Sequence, residues 1–116
     1  MANIKSKAFK VNIKVLSFNQ CWQGKIKKSV AYHIYRKELL KMLPNMPLPE
    51  PPYRLHLQYG FSSRAGDIDN PNKALIDVLT EFYGFDDKLI YELFIRKRIV
   101  PRGQEYFMFR FEHIKV

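Results

Sequence analysis

Apolar and polar residues alternate with a period of two in three stretches of the chain. In "KVNIKVLSF", Val11, Ile13 and Val15 share one face, and Lys10, Asn12 and Lys14 the other. That pattern predicts a half-buried strand. "YRLHLQYGF" puts Tyr53, Leu55, Leu57, Tyr59 and Phe61 on one face. "EYFMFRFEHIKV" sets Phe107, Phe109, Phe111 and His113 opposite Tyr106, Met108, Arg110 and Glu112. A further strand is predicted in "DDKLIYELFIRKRIV", after its two opening acids.

Two stretches have helical spacing instead. "VAYHIYRKELLKML" follows Ser29, a suitable cap, and carries Ile34, Leu39, Leu40 and Leu43 as an apolar stripe. In the second, Leu75, Val78, Leu79 and Phe82 form the stripe. Asn70 and Pro71 predict its cap and first helical residue, and Gly84 its end. Between the helices, "PNMPLPEPP" excludes regular structure, because its five prolines remove amide donors and fix φ. "NQCWQGKIKK" reads as a polar loop. "PRGQ" reads as a turn, so the last two strands are expected to pair as an antiparallel hairpin. The order β-α-β-α-β-β predicts an α+β fold, a single domain over residues 1–116. Its expected architecture is a mixed four-stranded sheet with two packed helices.

Composition supports a folded core, with 47% hydrophobic residues in a chain of 116. No apolar run reaches membrane-spanning length, and "MANIKSKAFK" lacks the apolar centre of a signal peptide. The expectation is a cytoplasmic protein with no membrane partner. Cys21 is the single cysteine, which excludes an internal disulfide and a thiolate zinc site. His33, His56 and His113 stand singly. Any metal would then be held by oxygens, which favours magnesium or manganese.

The net charge of +9 is unevenly spread. Residues 1–48 hold ten basic side chains and one acid, Glu38, whereas the remainder is balanced. Such a basic field suits a polyanion, whose phosphates it neutralises with release of counterions. Lys25, Lys27 and Lys28 are the candidate phosphate contacts of the basic loop, with Arg64 and Lys97 further along. Trp22 is the candidate for stacking on an unpaired base. Phe18, Tyr32 and Tyr35 lie nearby, and Phe18 and Tyr35 are expected in the core.

The acids cluster as well. In "GDIDNPNKALIDVL", Asp67 and Asp69 point the same way if the backbone is extended. Two such carboxylates repel unless a cation joins them, and a hard divalent ion suits oxygen ligands. The helix start that follows favours a phosphate oxygen. Lys73, one turn in, can neutralise charge developing in a transition state. Asp77 lies four residues beyond Lys73, and Asp86 and Asp87 follow Gly84. The same residues also fit an ordinary helix cap, a surface ion pair and a polar turn. A helix of this length spans roughly 20 Å, so Asp87 meets Asp69 only through a bent path or a second subunit.

With these residues in hand, the chain resembles the RusA family of Holliday-junction resolvases. The likeness rests on "DIDNPNKALIDVL", "GFDD" and "LFIRK", and covers about residues 53–100. It implies a magnesium-dependent endodeoxyribonuclease, with manganese as a substitute, of a kind often encoded by phages and prophages. It implies a homodimer that resolves four-way DNA junctions by paired symmetric nicks in recombination and repair. By position, Asp67, Asp69 and Asp87 become metal-binding and catalytic acids and Lys73 the catalytic lysine. Asp77 and Asp86 become accessory acids. The alternative expectation is a non-catalytic basic nucleic-acid-binding module whose acids only cap helices.

Overall fold

The computed structural model describes residues 8–16, 22–23 and 27–115. Six strands and two helices follow one another: β1 (Phe9–Val11), β2 (Trp22–Gln23), β3 (Lys27–Lys28), α1 (Val30–Met42), β4 (Tyr53–Phe61), α2 (Asn72–Tyr83), β5 (Ile90–Ile99) and β6 (Tyr106–His113). A single 3-10 turn, Asp87–Leu89, leads into β5. Strands β1, β6, β4 and β5 form a four-stranded sheet in that order. β4 runs parallel to β5 and antiparallel to β6, so the sheet is mixed, as expected for an α+β domain.

Both helices contribute to one core beneath one face of this sheet. Tyr53, Leu55, Leu57 and Tyr59 of β4 and Phe107, Phe109 and Phe111 of β6 meet Tyr32, Tyr35 and Leu39 of α1 there. Ala74, Leu75, Val78 and Leu79 of α2 complete it. The period-two pattern of β4 and β6 thus marks the buried side correctly. Ser29 caps α1 as predicted, its hydroxyl accepting from the Tyr32 amide at 3.0 Å. Gly84 ends α2 in the left-handed region at φ 70, which a residue with a Cβ enters only at a cost. The Pro-rich segment is irregular, with a cis bond between Pro51 and Pro52.

Several local expectations need correction. The last two strands do not form a hairpin, because β4 lies between them. The connection arches over the end of β4 instead. Val100 N–H donates to Phe61 O at 2.8 Å, and Ser62 Oγ donates to Glu105 at 2.7 Å. The physical reason lies in the strands themselves. β6 buries three phenylalanines and needs neighbours on both sides, while the charged, largely exposed β5 suits an edge.

Asn70 does not cap α2. The helix starts at Asn72, and Pro71 occupies the cap position in a helical conformation with no side-chain cap bond. In α1 the buried stripe is Tyr32, Tyr35, Leu39 and Leu43, whereas Ile34 is 58% exposed. The tyrosines displace it because their larger rings cover more of the sheet. The first strand pairs only over Phe9–Val11, opposite Phe107–Phe109 of β6. The alternation continues to Val15 without a partner strand, and Phe18 lies outside the described residues. The loop expected over 19–28 contains the short antiparallel pair β2–β3.

Candidate functional site

The crossover from β4 through α2 to β5 carries all six acidic and basic residues of the sequence motif. Tyr59, fully buried in β4, holds the start of α2 by donating its hydroxyl to Asn72 Oδ1 at 2.5 Å. Burial also pushes that hydroxyl's pKa up, keeping it a neutral donor. Tyr83 fastens the other end, donating to Pro44 O at 2.7 Å. Its hydroxyl pKa is pushed up to about 12 by burial. The helix that presents Lys73 and Asp77 is therefore tied at both ends.

Lys73 lies in the first turn of α2 with its ammonium 3.0 Å from Asp77 Oδ1. The Lys73 pKa is raised, first by this hydrogen bond and the Asp77 charge and then by Asp87. The group is thus a fixed cation at neutral pH and not a proton acceptor. Lys73, Asp87 and Glu92 line one hollow together with Ile76, Tyr91 and Leu93. Lys28 reaches the same helix, its ammonium 3.8 Å from Asp77 Oδ2 and 4.0 Å above the Tyr32 ring. The link from the basic loop to Asp77 escaped sequence reasoning because it joins positions 49 residues apart with no shared periodicity.

Asp67 faces elsewhere. It lines a second hollow with Lys14, Gly66, Asn70 and Glu105, and its Oδ1 accepts the Asp69 amide at 2.9 Å. Asp69 is exposed, and its carbonyl oxygen accepts from the Asn72 amide at 3.4 Å. Asp86 caps the 3-10 turn by accepting the Lys88 amide at 3.0 Å, which holds its carboxyl below the usual range. Arg64 is exposed on the loop before the motif. Lys97 donates to Arg64 O and Gly66 O, each at 2.7 Å. Its ammonium thus fastens the loop that leads to Asp67, a positioning role that the motif alone did not suggest. Lys25 lies outside the described residues, and of Trp22 and Lys27 only the backbone pairing is described.

The donor chemistry of Asp67, Asp69 and Asp87 suits a hard divalent ion. The arrangement within one chain does not. Asp67 and Asp87 line separate hollows, and among the described residues no three His, Cys, Asp or Glu side chains gather as a ligand set. Lys73, Asp77 and Asp87 do come together. No helix among the described residues is long and apolar enough to cross a membrane. No protein-family model matches the chain, and no curated protein is similar enough to count as a relative.

Proposed function

We propose that the chain is a structure-specific endodeoxyribonuclease that nicks branched DNA, four-way junctions above all, and works as a homodimer. The observation that supports it most is the grouping of Lys73 with Asp77 and Asp87 along the flank of α2. These are the positions where the motif resembles that of the RusA family. A two-fold dimer supplies two equivalent sites for the two cuts a junction requires. In this reading Lys73 neutralises charge on the phosphate under attack, and Asp77 keeps its ammonium charged and directed. Asp87 sits beside that ammonium, where it orients the incoming water.

Magnesium is the cofactor this reading calls for, with manganese as a substitute. Among the described residues of one chain no such ligand set is assembled, so the second subunit would complete it. The test is a labelled four-way junction, a flap and a duplex, each incubated with magnesium or chelator. Paired nicks in the junction are expected with magnesium only. Lys73→Ala should cut at least about a hundredfold more slowly while still binding, the usual scale for losing a key electrostatic group.

The second reading, a non-catalytic nucleic-acid-binding module, is favoured by the turn-capping roles of Asp67 and Asp86. It is adopted if no divalent ion supports nicking while binding weakens steeply with salt.

A further inference from the structure

One face of the sheet is covered by the helices; among the described residues the other is not. The register places the residues of that open face in rows across β5, β4 and β6. The first row is Glu92, Arg54 and Glu112, and the second Phe94, His56 and Arg110. The third is Arg96, Gln58 and Met108, extended by Lys10 of β1, and the fourth Arg98, Gly60 and Tyr106. Both acids of the face therefore lie in the first row, where Arg54 contacts Glu92 at 2.5 Å and Glu112 at 3.1 Å. The other three rows hold Arg110, Arg96, Arg98 and Lys10 and no acid. Arg96 and Arg98 are exposed and form no ion pair among the described residues.

Phe94 stands on the edge strand β5, in the second row of this surface, 52% exposed. Single exposed apolar side chains are common, and what marks Phe94 is its setting among basic and polar groups. Here it is held upright on the sheet. His56 meets it edge-on at 5.3 Å between centroids, and the Arg54 guanidinium lies 5.2 Å from its centre. Phe94, His56, Gln58, Arg96, Met108 and Arg110 line a hollow of about 490 Å³. Arg54 and Arg110 are tied to Glu112, and Arg110 also meets His56 at 2.9 Å. Among the described residues that leaves Arg96 and Arg98 as the free cations beside a half-exposed aromatic ring, a platform for an unpaired base with its phosphates alongside.

We infer that the open sheet face binds single-stranded nucleic acid, with a base on Phe94 and the phosphodiester backbone along Arg96, Arg98 and Arg110. A second copy of the chain fits this face less well. Two-fold pairing would set one cationic field against the same field, with the only two acids already engaged by Arg54. The site is separate from Lys73 and Asp87, and the inference does not depend on the cutting reaction. Gln58 and His56 line the same hollow and are held in place, Gln58 by donating to the Tyr106 hydroxyl at 2.7 Å and His56 by Glu112 and Arg110 at 2.9 Å each.

The test is fluorescence anisotropy of a labelled 12-nucleotide oligo(dT) with the full chain across a salt series. Phe94→Ala should weaken binding about tenfold, the scale of losing one stacked base, with an unchanged salt slope. Arg96→Gln and Arg98→Gln should each flatten the slope by about 0.7. Phe94→Leu, which keeps the apolar bulk without the ring, should fall with Phe94→Ala. Lys41→Gln, on the exposed last turn of α1 and away from this face, should bind the oligonucleotide as the parent does, which separates the site from the general positive charge of the chain. Each variant's urea midpoint verifies folding; Phe94 and both arginines are exposed enough for it to hold. Unchanged affinity in Phe94→Ala and Arg96→Gln would overturn the inference. So would a parent chain that self-associates in sedimentation and becomes monomeric in Phe94→Ala without any loss of oligonucleotide binding.

Discussion

Gly60→Ala tests how closely the centre of the sheet is packed. Gly60 sits in β4 opposite Tyr106 of β6. A Cβ built on Gly60 would lie 2.3 Å from Tyr106 Cε1 and 2.4 Å from Cδ1, far inside van der Waals contact. The ring must move. Tyr106 is only 7% exposed, its hydroxyl accepts from Gln58 Nε2 at 2.7 Å, and Lys10 stands 4.6 Å above it. Losing that hydrogen bond costs about 1 kcal/mol, and losing the exposed cation–π contact about 0.5 kcal/mol. Displacing a packed ring adds about 1–2 kcal/mol. Replacing a strand glycine returns about 0.5–1 kcal/mol of chain entropy. The net loss is about 2 kcal/mol, which lowers the urea midpoint by about 1 M for an m value of about 2 kcal/mol/M. Tyr106→Ala removes the obstacle, so Gly60→Ala made in that background should cost less by at least about 1 kcal/mol. A midpoint within error of the parent, or additive effects in the double variant, would refute the close approach.

Tyr59→Phe removes the hydroxyl that holds Asn72, and should lower stability by about 1 kcal/mol in the same denaturation assay. Amide exchange should quicken most in the first turn of α2, and uniform quickening would refute the local role. Glu81 binds Arg36 through two hydrogen bonds that join α2 to α1, and this contact lowers its carboxyl pKa. A lowered folded pKa contributes stability above the unfolded glutamate value, about 4.3, that is lost as pH falls through the folded one. Glu81→Gln should therefore cost up to about 1 kcal/mol at neutral pH, the limit for an exposed pair, and nothing at pH 2. An equal cost at both pH values would discount the ion pair.

The parts of the fold that were legible in the sequence are those with a strong local period. β4 and β6 each place every second residue in the core, and α2 keeps its leucine stripe. What failed was decided by partners distant in sequence. The short "PRGQ" turn suggested a hairpin, but a six-residue link can also step over a neighbouring strand, and the phenylalanines of β6 required a central place. Ile34 looked as apolar as Leu39, yet only packing reveals that two tyrosines claim the face. At the candidate site, Lys73 with Asp77 could be read from helical spacing alone. Lys28, Lys97 and Tyr59 could not, because each acts on the motif from another element. The open sheet face was visible in outline as the polar alternate positions of "RLHLQYG" and "FIRKR", but its rows needed the register.

Among the described residues strand β1 pairs only with β6, so residues 9–11 find their partners at 107–109. During synthesis residues 9–11 must wait, unpaired, until residues 107–109 have left the ribosome. β4 waits too, since both of its neighbours are made after it. Closure of such distant contacts is slow and leaves sticky backbone exposed in the meantime. A nascent chain halted before residue 106 would thus be a ready client for chaperones, and release of β6 would let the sheet close.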